Sequence, residues 1–210
     1  GVDAVRPLNI PGTDAHGVYT AVSLLHQAGD DSATRFDGRN VVVIGGGNVA
    51  MDCCRTAVRL GAKHVSVVYR RRVEDMTALE NEIHDAITEG VEMVELQAPD
   101  AIEVDENGGV AALITRPQKI GPVDRGRPAP SDADAPKNRI PTDYVLIAVG
   151  QGADFDSFVD RGMQSAHGRL QTDGHLRALV DDGSDLTNVF VGGDCQSGPK
   201  TVILAVAAGK

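Results

Sequence analysis

Gly45, Gly47 and Ala50, spaced G-x-G-x-x-A, follow the β-branched run Val41-Val42-Val43-Ile44 and open an amphipathic segment. Small residues at this spacing, between a strand and a helix, form the turn that receives a dinucleotide pyrophosphate. Gly45 permits the tight strand-to-helix turn, Gly47 lets backbone approach the phosphates, and Ala50 keeps helix and strand close. The anion would rest on the helix N-terminus, near Asn48 and Val49. Arg70, Arg71 and Arg72 stand where the second strand of such a unit ends, beside the adenosine ribose. An acid there accepts from a 2′-hydroxyl, whereas arginine pairs with a 2′-phosphate. Glu74 and Asp75 come too late in the chain to be that acid, so the residues read as NADP(H) rather than NAD(H).

Several elements must position these groups. A helix over residues 48–60 carries an apolar stripe and stops at Gly61, and residues 64–69 (HVSVVY) read as the second strand. Residues 76–89 read as a helix ending at Gly90, 91–96 as a third strand, and 101–105 with 110–115 as a hairpin joined by 106–109. Residues 121–137, rich in Pro, Asp and Gly, read as an exposed loop, and 144–149 as a buried strand ending at Gly150. Toward the N-terminus, 18–27 shows a helical pattern followed by a polar stretch. Toward the C-terminus, 188–191 reads as a short strand, 192–194 as a turn and 201–208 as an apolar helix that must pack against something. An apolar helix ending at Lys210, and no first strand at the N-terminus, suggest a piece of a longer polypeptide.

The net charge of −10 argues against nucleic acid or an anionic membrane as a partner, so an anionic cofactor must be held by local groups. No apolar run approaches the roughly 18 residues of a membrane span and no signal peptide is visible, which makes a cytoplasmic location the expectation. Cys53 and Cys54 are adjacent and Cys195 is remote, so no C-x-x-C redox pair is present. The six histidines show no metal-ligand spacing.

Five motifs in order, GGGNVAMDCCRTAVRLGA, VVYRR, ALENEIHDAITEGV, IAVGQ and VGGDCQSGPKTVILAVAAGK, resemble the NADPH-dependent glutamate synthase small (beta) subunit and its relatives. Those relatives include the flavin and NADPH part of dihydropyrimidine dehydrogenase and, more distantly, adrenodoxin reductase. The resemblance implies an α/β fold: a Rossmann-like NAD(P)-binding domain, with parallel sheet and β-meander, inserted in an incomplete FAD-binding domain. It implies FAD-domain sequence in 1–38 and 151–210 and the NADPH domain in 39–150. By resemblance, Gly45, Gly47, Asn48 and Val49 hold the pyrophosphate, Arg70 and Arg71 the 2′-phosphate, and Glu82 the nicotinamide-side ribose or its surroundings. Gly150 lies near the nicotinamide, Asp194 bonds the FAD ribitol, and Thr201 and Val202 cap a helix beside the isoalloxazine.

The chemistry so implied is hydride transfer from NADPH to FAD, with electrons passed to a larger catalytic subunit or an iron-sulfur domain. No general acid or base is required of this chain, because the cofactors carry the chemistry. Two departures stand out: the family's first glycine motif, which grips the ADP half of FAD, and its cysteine-rich iron-sulfur region are both missing. The chain alone is therefore expected to bind FAD poorly and to be inactive without that part. Two alternatives are a non-catalytic NADP(H)-binding module and a flavin-free NADP-dependent dehydrogenase. The latter needs a proton donor near the nicotinamide, and Tyr144 begins a strand that leads away from the site.

Overall fold

The computed structural model describes all residues except 1–3, 6, 29–33, 125, 153, 183, 185, 187, 199–200 and 210; the polar stretch after residue 28 lies largely outside the described residues. By packing, the chain forms two units: β1 (Ala4–Val5) with the residues from Gln151 onward, and Pro7–Gly150. The second unit runs β2 (Val18–Thr20), α1 (Ala21–Gln27), β3 (Asn40–Ile44), α2 (Asn48–Arg59), β4 (His64–Val68), a 3-10 turn (Val73–Asp75), α3 (Glu80–Thr88) and β5 (Glu92–Val94). It continues with β6 (Gln97–Val104), β7 (Val110–Asp124), β8 (Arg127–Asp132), β9 (Asn138–Pro141) and β10 (Tyr144–Ile147).

Five strands form a parallel sheet in the order β2-β10-β3-β4-β5. Residues of β3 alternate between its faces: Val41 and Val43 pack with Ala50, Met51, Cys53, Cys54 and Ala57 of α2, whereas Val42 and Ile44 pack with Ile102, Val110 and Leu113 of the meander. With both faces covered, the strands must be apolar throughout, which is why β3 reads as a continuous Val/Ile run. The meander is antiparallel: β7 lies between β6 and β9 in its first half and pairs with β8 in its second. The result is three layers: helices, parallel sheet, meander.

Several sequence readings change for identifiable reasons. Residues 18–27 split into a strand and a helix, because the Thr20 hydroxyl accepts from the Ser23 amide (3.2 Å) and caps α1. Since β2 joins the parallel sheet, the residues from Pro7 onward belong to the same packed unit as the dinucleotide turn, and the packing boundary falls before Pro7. The helix expected from residue 76 begins only at Glu80. Its would-be first turn spends its amides on the glycine turn: those of Thr77 and Ala78 donate to the Gly46 carbonyl (2.9 and 3.1 Å), and that of Leu79 to Asn48 Oδ1 (2.8 Å). The third strand is shorter than read, Glu92–Val94. Residues 121–137 are not a loop throughout: β7 runs to Asp124 and β8 returns along it, with Pro128 and Pro130 on an edge strand where a missing N–H costs little.

The smaller unit adds β11 (Gln151–Gly152), α4 (Asp156–Val159), β12 (Ser165–Ala166), β13 (Arg169–Leu170), α5 (Asp194–Ser197) and α6 (Val202–Ala208). β11 pairs antiparallel with β1, and a small core of Phe155, Met163, Leu170, Ala178, Leu186 and Val191 holds the unit. The strand expected at 188–191 does not form; Phe190 makes only an isolated bridge to Arg177. On α6 the apolar side chains Val202, Ile203, Leu204 and Val206 are exposed.

An ionic staple ties α2 to α3. The Arg55 guanidinium, 19% exposed, meets Glu82 (2.7 Å), Glu89 (2.9 Å) and Asp85 (3.3 Å), and Arg59 shares Glu89. The hydrogen bond from Arg55 holds the Glu89 carboxyl below its ordinary 4.5. A carboxylate with a depressed folded-state pKa contributes stability that is present above 4.5 and is lost as pH falls through the folded value. We expect Arg55→Ala to lower stability at pH 7, because it removes the cation shared by Glu82, Asp85 and Glu89. The deficit relative to the parent should shrink below pH 4.5 in urea unfolding; a deficit independent of pH would assign Arg55 to packing alone.

Candidate nucleotide-binding site

The C-terminal ends of β3, β4 and β10 open onto a cavity of about 360 Å³. Gly45, Gly46 and Gly47 form one wall, Val68 to Arg71 a second, and Ala148 to Gly150 a third; Leu8, Thr77, Pro99 and Arg127 complete it. This is the crevice where parallel α/β sheets hold ligands.

The three glycines differ in what makes them necessary. Gly45 has φ +146°, and a Cβ there would lie 2.4 Å from the Ala148 carbonyl oxygen. A Cβ on Gly46 would meet the Tyr69 ring at 2.6 Å. A Cβ on Gly47 would meet nothing closer than Thr77 Oγ1, at 3.5 Å. Packing thus dictates the first two, while the third leaves open backbone facing the cavity. Gly47 is also the N-cap of α2, and its carbonyl takes the first helical hydrogen bonds, from Ala50 and Met51 (2.9 and 3.2 Å). The Asn48 and Val49 amides precede those bonds and suit an anion.

The three arginines after β4 separate in the structure. Arg72 pairs with Asp75 (2.9 Å) and with Glu74, so the late acids neutralise this arginine instead of reading a ribose, and the Asp75 carboxyl is held below the usual range by the Arg72 hydrogen bond. Arg71 donates through Nε to the Pro128 carbonyl (2.7 Å), a neutral partner, and is close enough to Asp75 to help hold that carboxyl low. Arg70 is exposed on the cavity wall. Arg35, Arg39, Arg55, Arg59, Arg72, Arg116 and Arg139 of the same unit all pair with carboxylates. Arg70, Arg71 and Arg127 make no ion pair among the described residues, and these three line the cavity.

Gly45, Gly47, Arg70, Arg71 and Gly150 therefore come together at one cavity. Asn48 and Val49 start α2 beside it, the Asn48 side chain being engaged by Leu79. Glu82 is placed elsewhere, on α3 in the Arg55 staple, and does not line the cavity. Asp194, Thr201 and Val202 belong to the smaller unit: Asp194 opens α5, Thr201 is the N-cap of α6, and Val202 begins that helix with 78% of its surface exposed. Arg127 and Thr77 went unnoticed in the sequence, and no local signal marks either. Tyr144 packs edge-on against Phe36 (centroids 4.9 Å apart) at the start of β10, the opposite end of that strand from the cavity.

Cys53 and Cys54 are buried in the α2 core, and burial pushes both thiols up to about 12, far from the thiolate that disulfide exchange uses. Among the described residues no His/Cys/Asp/Glu group is arranged to hold a metal, and no helix is long and apolar enough to cross a membrane.

The pattern of the pyridine nucleotide-disulphide oxidoreductase family matches residues 1–209. The chain is 36% identical over 215 residues to the NADP(+)-dependent formate dehydrogenase subunit beta of Moorella thermoacetica, covering 100% of this chain and 29% of that protein. It is 34% identical over 215 residues to the glutamate synthase (NADPH) small chain of Escherichia coli, covering 94% of this chain and 44% of that protein. The chain thus spans less than half the length of these curated relatives. Among solved structures, FprA of Mycobacterium tuberculosis in complex with NADPH superposes with a TM-score of 0.72 at 19% identity, over 97% of this chain and 58% of that one. Lactococcus lactis thioredoxin reductase superposes at 0.69 and 21% identity, over 100% and 60%. These likenesses establish the fold, a Rossmann-like α/β architecture, and the curated relatives bear out the resemblance read from the motifs.

Proposed function

The chain belongs to the pyridine nucleotide-disulphide oxidoreductase family, and from that premise we propose that it is the NADPH-binding portion of a flavin-dependent oxidoreductase. In this reading hydride passes from NADPH to FAD and electrons continue to an iron-sulfur domain or a larger catalytic subunit. The observation that carries it is the convergence, on the cavity that the glycine turn opens, of three arginines that make no ion pair among the described residues. Several cations lining one cavity favour an anion there, and a 2′-phosphate is the anion this position of the fold meets. In the same reading the Gly47 backbone and the α2 amides take the pyrophosphate, and Gly150, at φ +117°, keeps the nicotinamide end free of a side chain.

FAD, when bound, supplies the hydride acceptor; this chain's residues bind and orient. The family resemblance assigns Asp194, Thr201 and Val202 to the flavin, residues 1–38 and 151–210 to its domain, and 39–150 to NADPH. Gly193 supports a built turn at Asp194: it has φ +64°, and a Cβ there would lie 3.2 Å from Ala205 Cβ of α6. For Glu82 the placement favours a different role from the one the resemblance assigns, because Arg55 already takes its carboxylate. The buried, non-reactive Cys53 and Cys54 favour electrons leaving through the flavin rather than through a protein disulfide. The names of the relatives, a subunit beta and a small chain, support a larger partner.

Calorimetric titration with NADPH and NADH at one fixed salt concentration tests the reading. We expect NADPH to bind at least tenfold more tightly, the least that one charge-assisted phosphate contact supplies. Equal affinities would overturn the NADPH assignment. Turnover of an artificial electron acceptor only when FAD is added would separate the flavoprotein reading from a dehydrogenase, which works without flavin, and from a binding module, which works in neither case.

A further inference from the structure

The antiparallel β7–β8 hairpin brings to the nucleotide cavity an arginine distant in sequence from the glycine turn and the arginine triplet. We propose that Arg127, the first residue of β8, is a specificity-determining residue that contacts the adenosine 2′-phosphate together with Arg70 and Arg71; this inference rests on the NADPH reading above.

Three observations carry it. Arg127 lines the same cavity as Arg70 and Arg71. The residue after it, Pro128, accepts the Arg71 Nε–H at 2.7 Å, so the start of β8 is held against the triplet and not elsewhere along the cavity. Arg127 also makes no ion pair among the described residues, although acids are plentiful in a chain of net charge −10 and other arginines of the meander are paired: Arg116 with Asp100 and Asp132, Arg139 with Glu103.

The Arg71–Pro128 bond divides the labour. Nε of Arg71 is spent on the hairpin, which leaves its terminal nitrogens for an anion and fixes the plane of the guanidinium. A phosphate dianion offers three strong acceptor oxygens, which leaves room for a third guanidinium beside Arg70 and Arg71. Arg127 approaches from the hairpin side, so the phosphate would be gripped between two elements. A ribose 2′-hydroxyl carries no charge to draw Arg127 in, and the residue should therefore discriminate between cofactors rather than bind both.

The test compares the parent protein with Arg127→Ala, Arg127→Lys and Arg70→Ala. Calorimetry uses NADPH, NADH and the fragment pair adenosine 2′,5′-bisphosphate and 5′-AMP, which differ only in the 2′-phosphate. Arg127 is exposed and makes no ion pair among the described residues, so its replacement should leave thermal unfolding unchanged. We expect Arg127→Ala to weaken NADPH and the bisphosphate about tenfold, as for loss of one charge-assisted contact, and NADH and 5′-AMP less than twofold. Arg127→Lys should recover part of the loss. Unchanged NADPH affinity in Arg127→Ala, or equal losses for both members of each pair, overturns the assignment. If Arg70→Ala erases the NADPH preference while Arg127→Ala retains it, the NADPH reading stands and only the role of Arg127 falls. If the parent shows no preference, both fall.

Discussion

Alanine at both Arg70 and Arg71 should weaken NADPH binding by about 2–4 kcal/mol, roughly 30- to 1,000-fold, and leave NADH nearly unchanged. The size follows from charge-assisted hydrogen bonds at about 1.5–3 kcal/mol each, reduced because Arg70 is exposed and part of its attraction is screened by salt. The arginine next door supplies the control. Arg72 is already paired with Asp75, whose side chain is only 9% exposed, and with Glu74. Arg72→Ala should therefore lower stability, by leaving Asp75 without its partner, while the NADPH preference survives. The same substitution at adjacent positions then reads out in different measurements: calorimetric selectivity for Arg70 and Arg71, thermal unfolding for Arg72. Equal losses for NADPH and NADH in the double variant would mean that these arginines hold the pyrophosphate or the fold instead of the 2′-phosphate.

The second large effect is expected from alanine at successive glycines of one turn. Gly45→Ala places a methyl group 2.4 Å from the Ala148 carbonyl at φ +146°. The neighbour is backbone of the strand-end segment after β10 and cannot rotate away. Strained φ costs about 1–3 kcal/mol and forced repacking a similar amount, so a loss of about 3–5 kcal/mol is expected, a large part of the 5–15 kcal/mol that holds a typical domain. Gly47→Ala adds a methyl in ordinary van der Waals contact with Thr77 Oγ1, with the backbone in an extended conformation (φ −104°, ψ 175°) that alanine adopts freely. Its stability should change by less than about 1 kcal/mol. Its affinity should fall at least tenfold for NADPH and NADH alike, because the methyl stands where the pyrophosphate meets backbone and both cofactors carry that group. Urea unfolding and calorimetry on the pair decide the matter. A stable Gly47→Ala variant that binds normally would move the pyrophosphate away from this turn.

Much of the site was readable before any fold was known, because its determinants are local. A β-branched run, small residues at G-x-G-x-x-A spacing and an apolar helical stripe specify a strand, a tight turn and a helix through sterics acting over a few residues. The end of β4 then sets where an arginine can stand relative to that turn. The β6–β7 hairpin was legible for the same reason: Asp105 Oδ1 accepts from the Asn107 and Gly109 amides (2.8 and 2.9 Å), a turn written in four consecutive residues.

What the residue string left open concerns partners chosen through space. Arg70, Arg71 and Arg72 are equivalent as letters, and only the 3-10 turn that carries Asp75 back to Arg72 makes them different. Gly46 occupies a free position of the motif, yet the Tyr69 ring across the sheet forbids a side chain there. Glu82 was assigned by resemblance alone, and only the packing of α3 on α2 shows that its carboxylate meets Arg55. Residues 76–79 continue a helical pattern, yet the glycine turn draws their amides away from it. Arg127 reaches the cavity only because β8 folds back on β7 and Arg71 seizes the Pro128 carbonyl. Chain order settles geometry over a few residues; long-range strand pairing and helix packing decide which charges meet, since electrostatic and hydrogen-bond partners are selected by distance in space and not along the chain.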